Sequence, residues 1–211
     1  MRDSEATRER ILEAAEKLFA AKGFYDTSVD EIVAEADVSK GGVYFHFPSK
    51  EELFFALLDK LADKLQHDVE AAIAQRRGAL AKIEGALEAV FKTLSGKRRL
   101  AQILLRQGYG LGPSFERKRL EIYSRFARVI QKHLDEAVAE GSIGSINTEL
   151  TAYAWLGALN ELITRWIYTG KPDPLRESLP TLTRLFLSSI GAISDPHPVP
   201  LPKRERGKRK H

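Results

Sequence analysis

Between Ser39 and His46 the chain gathers a hydroxyl, a cation, two adjacent glycines, a phenol, a phenyl ring and an imidazole, in the order Ser39-Lys40-Gly41-Gly42-Val43-Tyr44-Phe45-His46. These groups donate hydrogen bonds and offer flat apolar faces, which is the chemistry of gripping phosphates and touching base edges. Two neighbouring glycines cost a short helix about 1 kcal/mol each relative to alanine. They have a use where backbone must come close to another molecule. Taken singly, the aromatics read as core and the cations as solvated charge. As one constellation with Ser28 and Lys50 on either side, they read as a recognition surface.

Bond-making chemistry has no comparable support. The five histidines (His46, His67, His133, His197, His211) never pair three or four residues apart, and there is no cysteine for a thiolate, a zinc site or a disulfide. Neither His-Glu-x-x-His nor Gly-x-Ser-x-Gly occurs, and Gly108-x-Gly110-x-Gly112 follows no strand pattern, so it reads as a corner. No enzyme, cofactor or metal is expected. The net charge of +4 is a weak guide to partners. Six cations against Glu205 give residues 203–211 a charge of +5, which leaves −1 for the remainder, so placement rather than bulk charge must carry any nucleic-acid argument. No apolar run reaches the roughly 18–20 residues of a membrane span, and Met1-Arg2-Asp3-Ser4-Glu5 lacks a signal-peptide core, so a cytoplasmic protein is expected.

The elements that must position the constellation are helical throughout. Apolar residues recur at a 3.6-residue period and no strand-like alternation persists. A first helix over about 6–22 carries Ile11, Leu12, Ala15, Leu18 and Phe19 on one face and stops at Gly23. Thr27 with Asp30 and Ser28 with Glu31 form overlapping capping boxes for a helix ending near Ala36, and Ser39 caps another short helix. Ser49 opens a long helix toward Arg76, and further helices are expected near 79–95, 98–107, 114–140, 148–169 and 175–193. Residues 194–211, rich in proline and then in cations, read as an extended tail.

Two short helices behind a longer one have the spacing of a helix-turn-helix, whose second helix fits a major groove about 12 Å wide. The stretch Thr27-Ser28, Ile32, Ala36, Val38-Ser39-Lys40-Gly41, Val43-Tyr44, His46-Phe47, Lys50-Glu51, Leu53 resembles the N-terminal domain of the TetR family of bacterial transcriptional repressors, densely over about residues 8–54. Asp37 stands where that family usually has glycine in the turn. The resemblance implies an all-α chain with a three-helix DNA-binding domain (1–50), a larger helical ligand-binding and dimerisation domain (51–193) and the tail (194–211). It further implies that Ser28, Tyr44, His46 and Lys50 hold phosphates, that Lys40, Gly41, Gly42 and Phe45 face the bases, and that Ser39 belongs to the same DNA-binding set.

Weaker similarity around Gly157, Asn160, Glu161 and Trp166 points to the subgroup of fatty-acid-degradation regulators, which acyl-CoA thioesters release from DNA. An acyl-CoA needs an apolar tunnel and cations near its mouth. The candidate ligand residues are Arg106, Tyr109, Tyr123, Phe126, Asn160 and Trp166, with Leu104, Ile130 and Trp155 as further lining and Arg98, Arg99, Arg117 and Arg119 as further cations. The expected protein is a homodimeric repressor on a palindromic operator, joined through Ala154, Ala158, Leu162, Leu182, Leu185, Phe186 and Ser189, and released by a small apolar effector. The competing reading is a helical acyl-CoA or lipophile carrier whose helix-turn-helix no longer binds operators.

Overall fold

A computed structural model describes the backbone of residues 2–192 and the side chains of residues 4–103 and 110–192. Within them the chain is helical, and no strand occurs among the described residues. The order is α1 (Arg2–Lys22), α2 (Val29–Ala36), α3 (Lys40–His46), α4 (Lys50–Ala74), α5 (Ala79–Gly96), α6 (Arg98–Gln107), a 3₁₀ turn (Gly108–Leu111), α7 (Pro113–Ala139), α8 (Thr148–Thr169), a wide turn (Pro174–Ser178) and α9 (Leu179–Ser189). The expected final helix is therefore divided. Asp173 Oδ1 accepts from the amides of Leu175 and Arg176, and the turn it starts runs into Pro180 at the head of α9. The basic tail lies outside the described residues.

Local chemistry fixes the N-terminal bends. Gly23 closes α1 at φ 94°, its N–H donating to the Phe19 carbonyl at 2.8 Å. Of the two overlapping capping boxes only Ser28 with Glu31 forms. Thr27 is instead buried, its Oγ1 donating to the Gly23 carbonyl at 2.7 Å, because a threonine drawn into the core must bond locally. Asp37 adopts the left-handed conformation, φ 51° and ψ 54°, that glycine would take without strain.

Two cores result. The N-terminal one packs Ile11, Phe19, Ile32, Val43 and Phe47 against Leu53, Phe54 and Leu57 of α4. It also takes in Leu100 of α6 and Phe115 of α7, which come from far along the chain. The second core joins the rest of α4 to α5, α7, α8 and α9, with Trp155 stacked on Phe186 at 4.4 Å and its indole N–H on Ser189. Leu182 and Phe186 are buried inside this core, so they cannot form the expected dimer face, and Ser189 is held by Trp155. The apolar side chains left outward on α8 and α9 are Leu150, Tyr153, Tyr168 and Leu185, with the small Ala154 of the expected face beside them.

Candidate nucleic-acid interface and effector cavity

Ser39 Oγ accepts from the Gly42 amide at 3.0 Å and so starts α3. Val43 and, just past the helix, Phe47 point into the core, which turns Lys40, Gly41, Tyr44 and Phe45 outward. Phe45 is 79% exposed and Tyr44 44%. A phenyl ring that bare is hydrophobic surface that no described residue covers. A methyl group at Gly41 would meet nothing within 4 Å, so the fold gives no internal reason for glycine there. Lys40 reaches across to α2 and pairs with Asp30 at 2.7 Å, which raises its pKa above the ordinary lysine value. His46 is half-buried, with its ring between Phe45 and Phe47.

Ser28 is exposed at the head of α2, where its hydroxyl accepts from the Glu31 amide at 3.2 Å and donates to Glu31 Oε2 at 2.9 Å. Hydrogen bonds from Lys22 and from the Ser28 amide and hydroxyl hold the Glu31 carboxyl down at about 2. Lys50 stands apart from the others. Its ammonium turns inward and donates to the carbonyls of Phe24 (2.8 Å), Thr27 (2.9 Å) and Tyr25 (3.5 Å), and it lies 4.4 Å from the centre of the Phe24 ring.

The second core encloses a cavity of about 350 Å³ between α4, α5, α7, α8 and α9, within the range typical of small-molecule sites. Its α4 wall runs from Leu58 to Ile73, about 22 Å at 1.5 Å per residue. Ile83, Ala86 and Val90 line it from α5, Phe126 and Ile130 from α7, Trp155 and Leu159 from α8. Its polar lining comprises Lys82 in the first turn of α5, His133, Glu136 and Glu140 at the end of α7 and Ser142 beyond it, with Tyr123 and Asn160 further polar groups on α7 and α8. His133 Nδ1 sits 3.0 Å from Glu136 Oε2, and α5 has no side-chain cap at Gly78.

Of the sequence-derived ligand residues, Tyr123, Phe126 and Asn160 line this cavity, as do Ile130 and Trp155. Trp166 does not. It is buried in the surrounding core, with the Arg98 guanidinium over its ring at 5.1 Å. The side chains of Leu104, Arg106 and Tyr109 lie outside the described residues. The other arginines have partners within the fold: Arg99 donates to the Ala21 carbonyl at 2.8 Å, Arg117 to Ser114, and Arg119 to Glu116. Sequence reasoning missed Lys82 and His133, which look like ordinary surface charges on α5 and α7 until the two helix ends are brought together.

One short stretch ties cavity to DNA face. Lys97 pairs with Glu16 of α1, Arg98 bonds the Trp166 carbonyl of α8 at 3.3 Å, Leu100 enters the N-terminal core and Ala101 lines the cavity. Further on, a methyl group at Gly110 would collide with the Tyr25 hydroxyl, so the α6–α7 turn sits directly on the loop between α1 and α2.

Residues 11–57 match the family described as bacterial regulatory proteins, tetR family, and residues 76–174 match the tetracyclin repressor-like C-terminal domain. The chain is 31% identical to the HTH-type transcriptional regulator SrpR of Pseudomonas putida over 80% of its own length and 76% of that protein. Among solved structures, FadR from Bacillus subtilis in complex with stearoyl-CoA superposes with a TM-score of 0.72 at 24% identity, covering 86% of this chain and 98% of that one. The fatty acid degradation regulator FadR from Bacillus halodurans gives 0.71 at 21%, covering 85% and 97%. With an exposed recognition helix at one end, an apolar cavity at the other and both segments matched, the chain belongs to the TetR family: it is a transcriptional regulator and not an enzyme.

Proposed function

We propose that this regulator is a repressor that binds a palindromic operator as a homodimer and leaves it when a long-chain acyl compound fills the cavity. The observation that carries this reading is the cavity itself, lined mostly by apolar side chains, with its charged groups Lys82, His133, Glu136 and Glu140 on the first turn of α5 and the end of α7. Such a site takes an extended hydrocarbon with one polar end. The uncapped start of α5, close to Lys82, favours a negatively charged head. A coenzyme A moiety would extend beyond the rim into solvent, because Glu136 and Glu140 leave little net positive charge there. The relatives' link to fatty-acid control and to stearoyl-CoA supports acyl compounds as the first class to test.

At the other end, Ser28, Tyr44 and His46 meet phosphates while Lys40, the backbone at Gly41 and Gly42, and Phe45 face the bases of the major groove. Two recognition helices must then stand about 34–36 Å apart, one helical turn of DNA, for a palindrome to be read. The outward residues Leu150, Tyr153, Gly157, Tyr168 and Leu185 on α8 and α9 form the two-fold interface that sets this spacing. The deciding experiment selects an operator from random DNA and then measures its release by stearoyl-CoA, stearate and free coenzyme A. Release by the acyl compounds and not by coenzyme A supports the proposal. Binding of the acyl compounds with operator affinity unchanged would overturn the effector assignment, and failure to select any sequence would favour the carrier reading.

A further inference from the structure

We propose that Lys50, partly buried at the head of α4, serves operator binding indirectly, as a positioning residue whose ammonium is caged by the carbonyls of Phe24, Tyr25 and Thr27, and that it does not contact a phosphate. An ammonium has three N–H donors and no acceptor. In this structure three carbonyl oxygens, at 2.8, 3.5 and 2.9 Å, take those donors, and the Phe24 ring covers a further side at 4.4 Å. In the free chain the ammonium is thereby engaged on the protein side. Lys40 shows the contrast, since it stands on the exposed face with a single surface carboxylate as partner.

The cage has a mechanical consequence. Lys50 is the first residue of α4, and the three carbonyls belong to the loop that leads from α1 into Ser28, the cap of α2. The lysine therefore pins the start of α4 to the loop that aims the head of α2. Burial lowers its pKa below the ordinary lysine value, partly offset by the nearby Asp26 carboxylate, in keeping with a charge withdrawn from water. Any phosphate contact near this corner falls to Ser28 and the first amides of α2, which the caged loop holds in place.

The salt dependence of operator binding separates the two roles. Each lost phosphate contact lowers the slope of log affinity against log salt by about 0.9, so a dimer losing two would lose roughly 1.8. Lys50→Met keeps the apolar stem and removes the charge. It should weaken binding to every sequence alike, by tenfold or more, with a slope within about 0.5 of the parent. Lys50→Arg should fail to rescue, because a planar fork cannot serve three carbonyls around one nitrogen, whereas a phosphate-contacting site would accept it. A slope lower by nearly two, or full rescue by arginine, would overturn the proposal. Should either variant unfold, the ¹⁵N resonance of the unmodified Lys50 ammonium decides. It should be protected from exchange in the free protein and unmoved when operator is added, and a new shift on DNA binding would refute the cage.

Discussion

Chain length is the most direct probe of the cavity. An extended hydrocarbon advances about 1.3 Å per carbon, from a C–C bond near 1.5 Å, so a wall of about 22 Å, at 1.5 Å per helical residue, accommodates some sixteen or seventeen carbons. Each methylene moved from water to this lining contributes about 0.8 kcal/mol. Two methylenes then bring about 1.6 kcal/mol, close to fifteenfold in affinity. Affinity for saturated acyl compounds should climb at that rate from about eight carbons upward and level off once the wall is covered. Because binding and release are reciprocally linked, the concentration needed to free the operator should fall along the same curve. Ala86→Phe places a phenyl ring midway along the α5 wall and should bring the plateau to shorter chains while leaving operator affinity intact. Calorimetry gives the affinities and fluorescence anisotropy of a labelled operator gives the release. A flat profile across the series, or a profile that Ala86→Phe does not alter, would refute the reasoning.

Other expectations concern the reading head. Lys40→Ala should relax sequence preference at one base pair by on the order of tenfold, read by competition between operator variants; unchanged preference would remove Lys40 from the bases. Glu31 is held near 2 in the folded chain against an ordinary 4.5, so its contribution to stability is complete above pH 4.5 and disappears as pH falls from there toward 2. An NMR titration should show its carboxyl ionised down to the bottom of that window, and a midpoint near 4.5 would contradict the capping geometry. Asp37→Asn keeps a side chain tolerant of the left-handed conformation and removes a negative charge from the C-terminal end of α2, so it should stabilise by about 0.3–1 kcal/mol. Scanning calorimetry should find a slightly higher Tm, and a lower one would show that the carboxylate has a favourable partner.

Most of the reading head was legible in the sequence because its signals are local. Gly23 as a stop, Ser28 with Glu31 as a box, Ser39 and Ser49 as caps and Asp37 as the turn all operate within four residues of chain. The face of α3 followed from Val43 and Phe47 alone. Lys50 could not be read in this way, since the carbonyls that cage it lie 23 to 26 residues earlier and a backbone oxygen has no sequence identity. The cavity was half legible. Tyr123 and Phe126 could be picked as a lining because their helix must pack on something, and Asn160 through the family resemblance, whereas Trp166 shares the cavity face of α8 but sits about a turn beyond Ile163, where the core covers it. Leu182 and Phe186 failed for the same reason: periodicity finds the apolar stripe of a helix without telling an intramolecular neighbour from a second copy.

Leu100 and Phe115 belong to the N-terminal core although they stand far down the chain, on α6 and α7. For anyone wishing to graft this reading head onto a different sensor, the natural cut after residue 50 is therefore the wrong one. A fragment ending there lacks the α4 residues Leu53, Phe54 and Leu57 as well as the two distant ones, and leaves Ile11 and Phe19 facing water. Even a cut at the end of α4 leaves the site of Phe115 open, and losing a buried phenyl group costs about 3–5 kcal/mol. A working chimaera must borrow the α6–α7 corner together with the head, which means that the transferable unit is discontinuous in sequence.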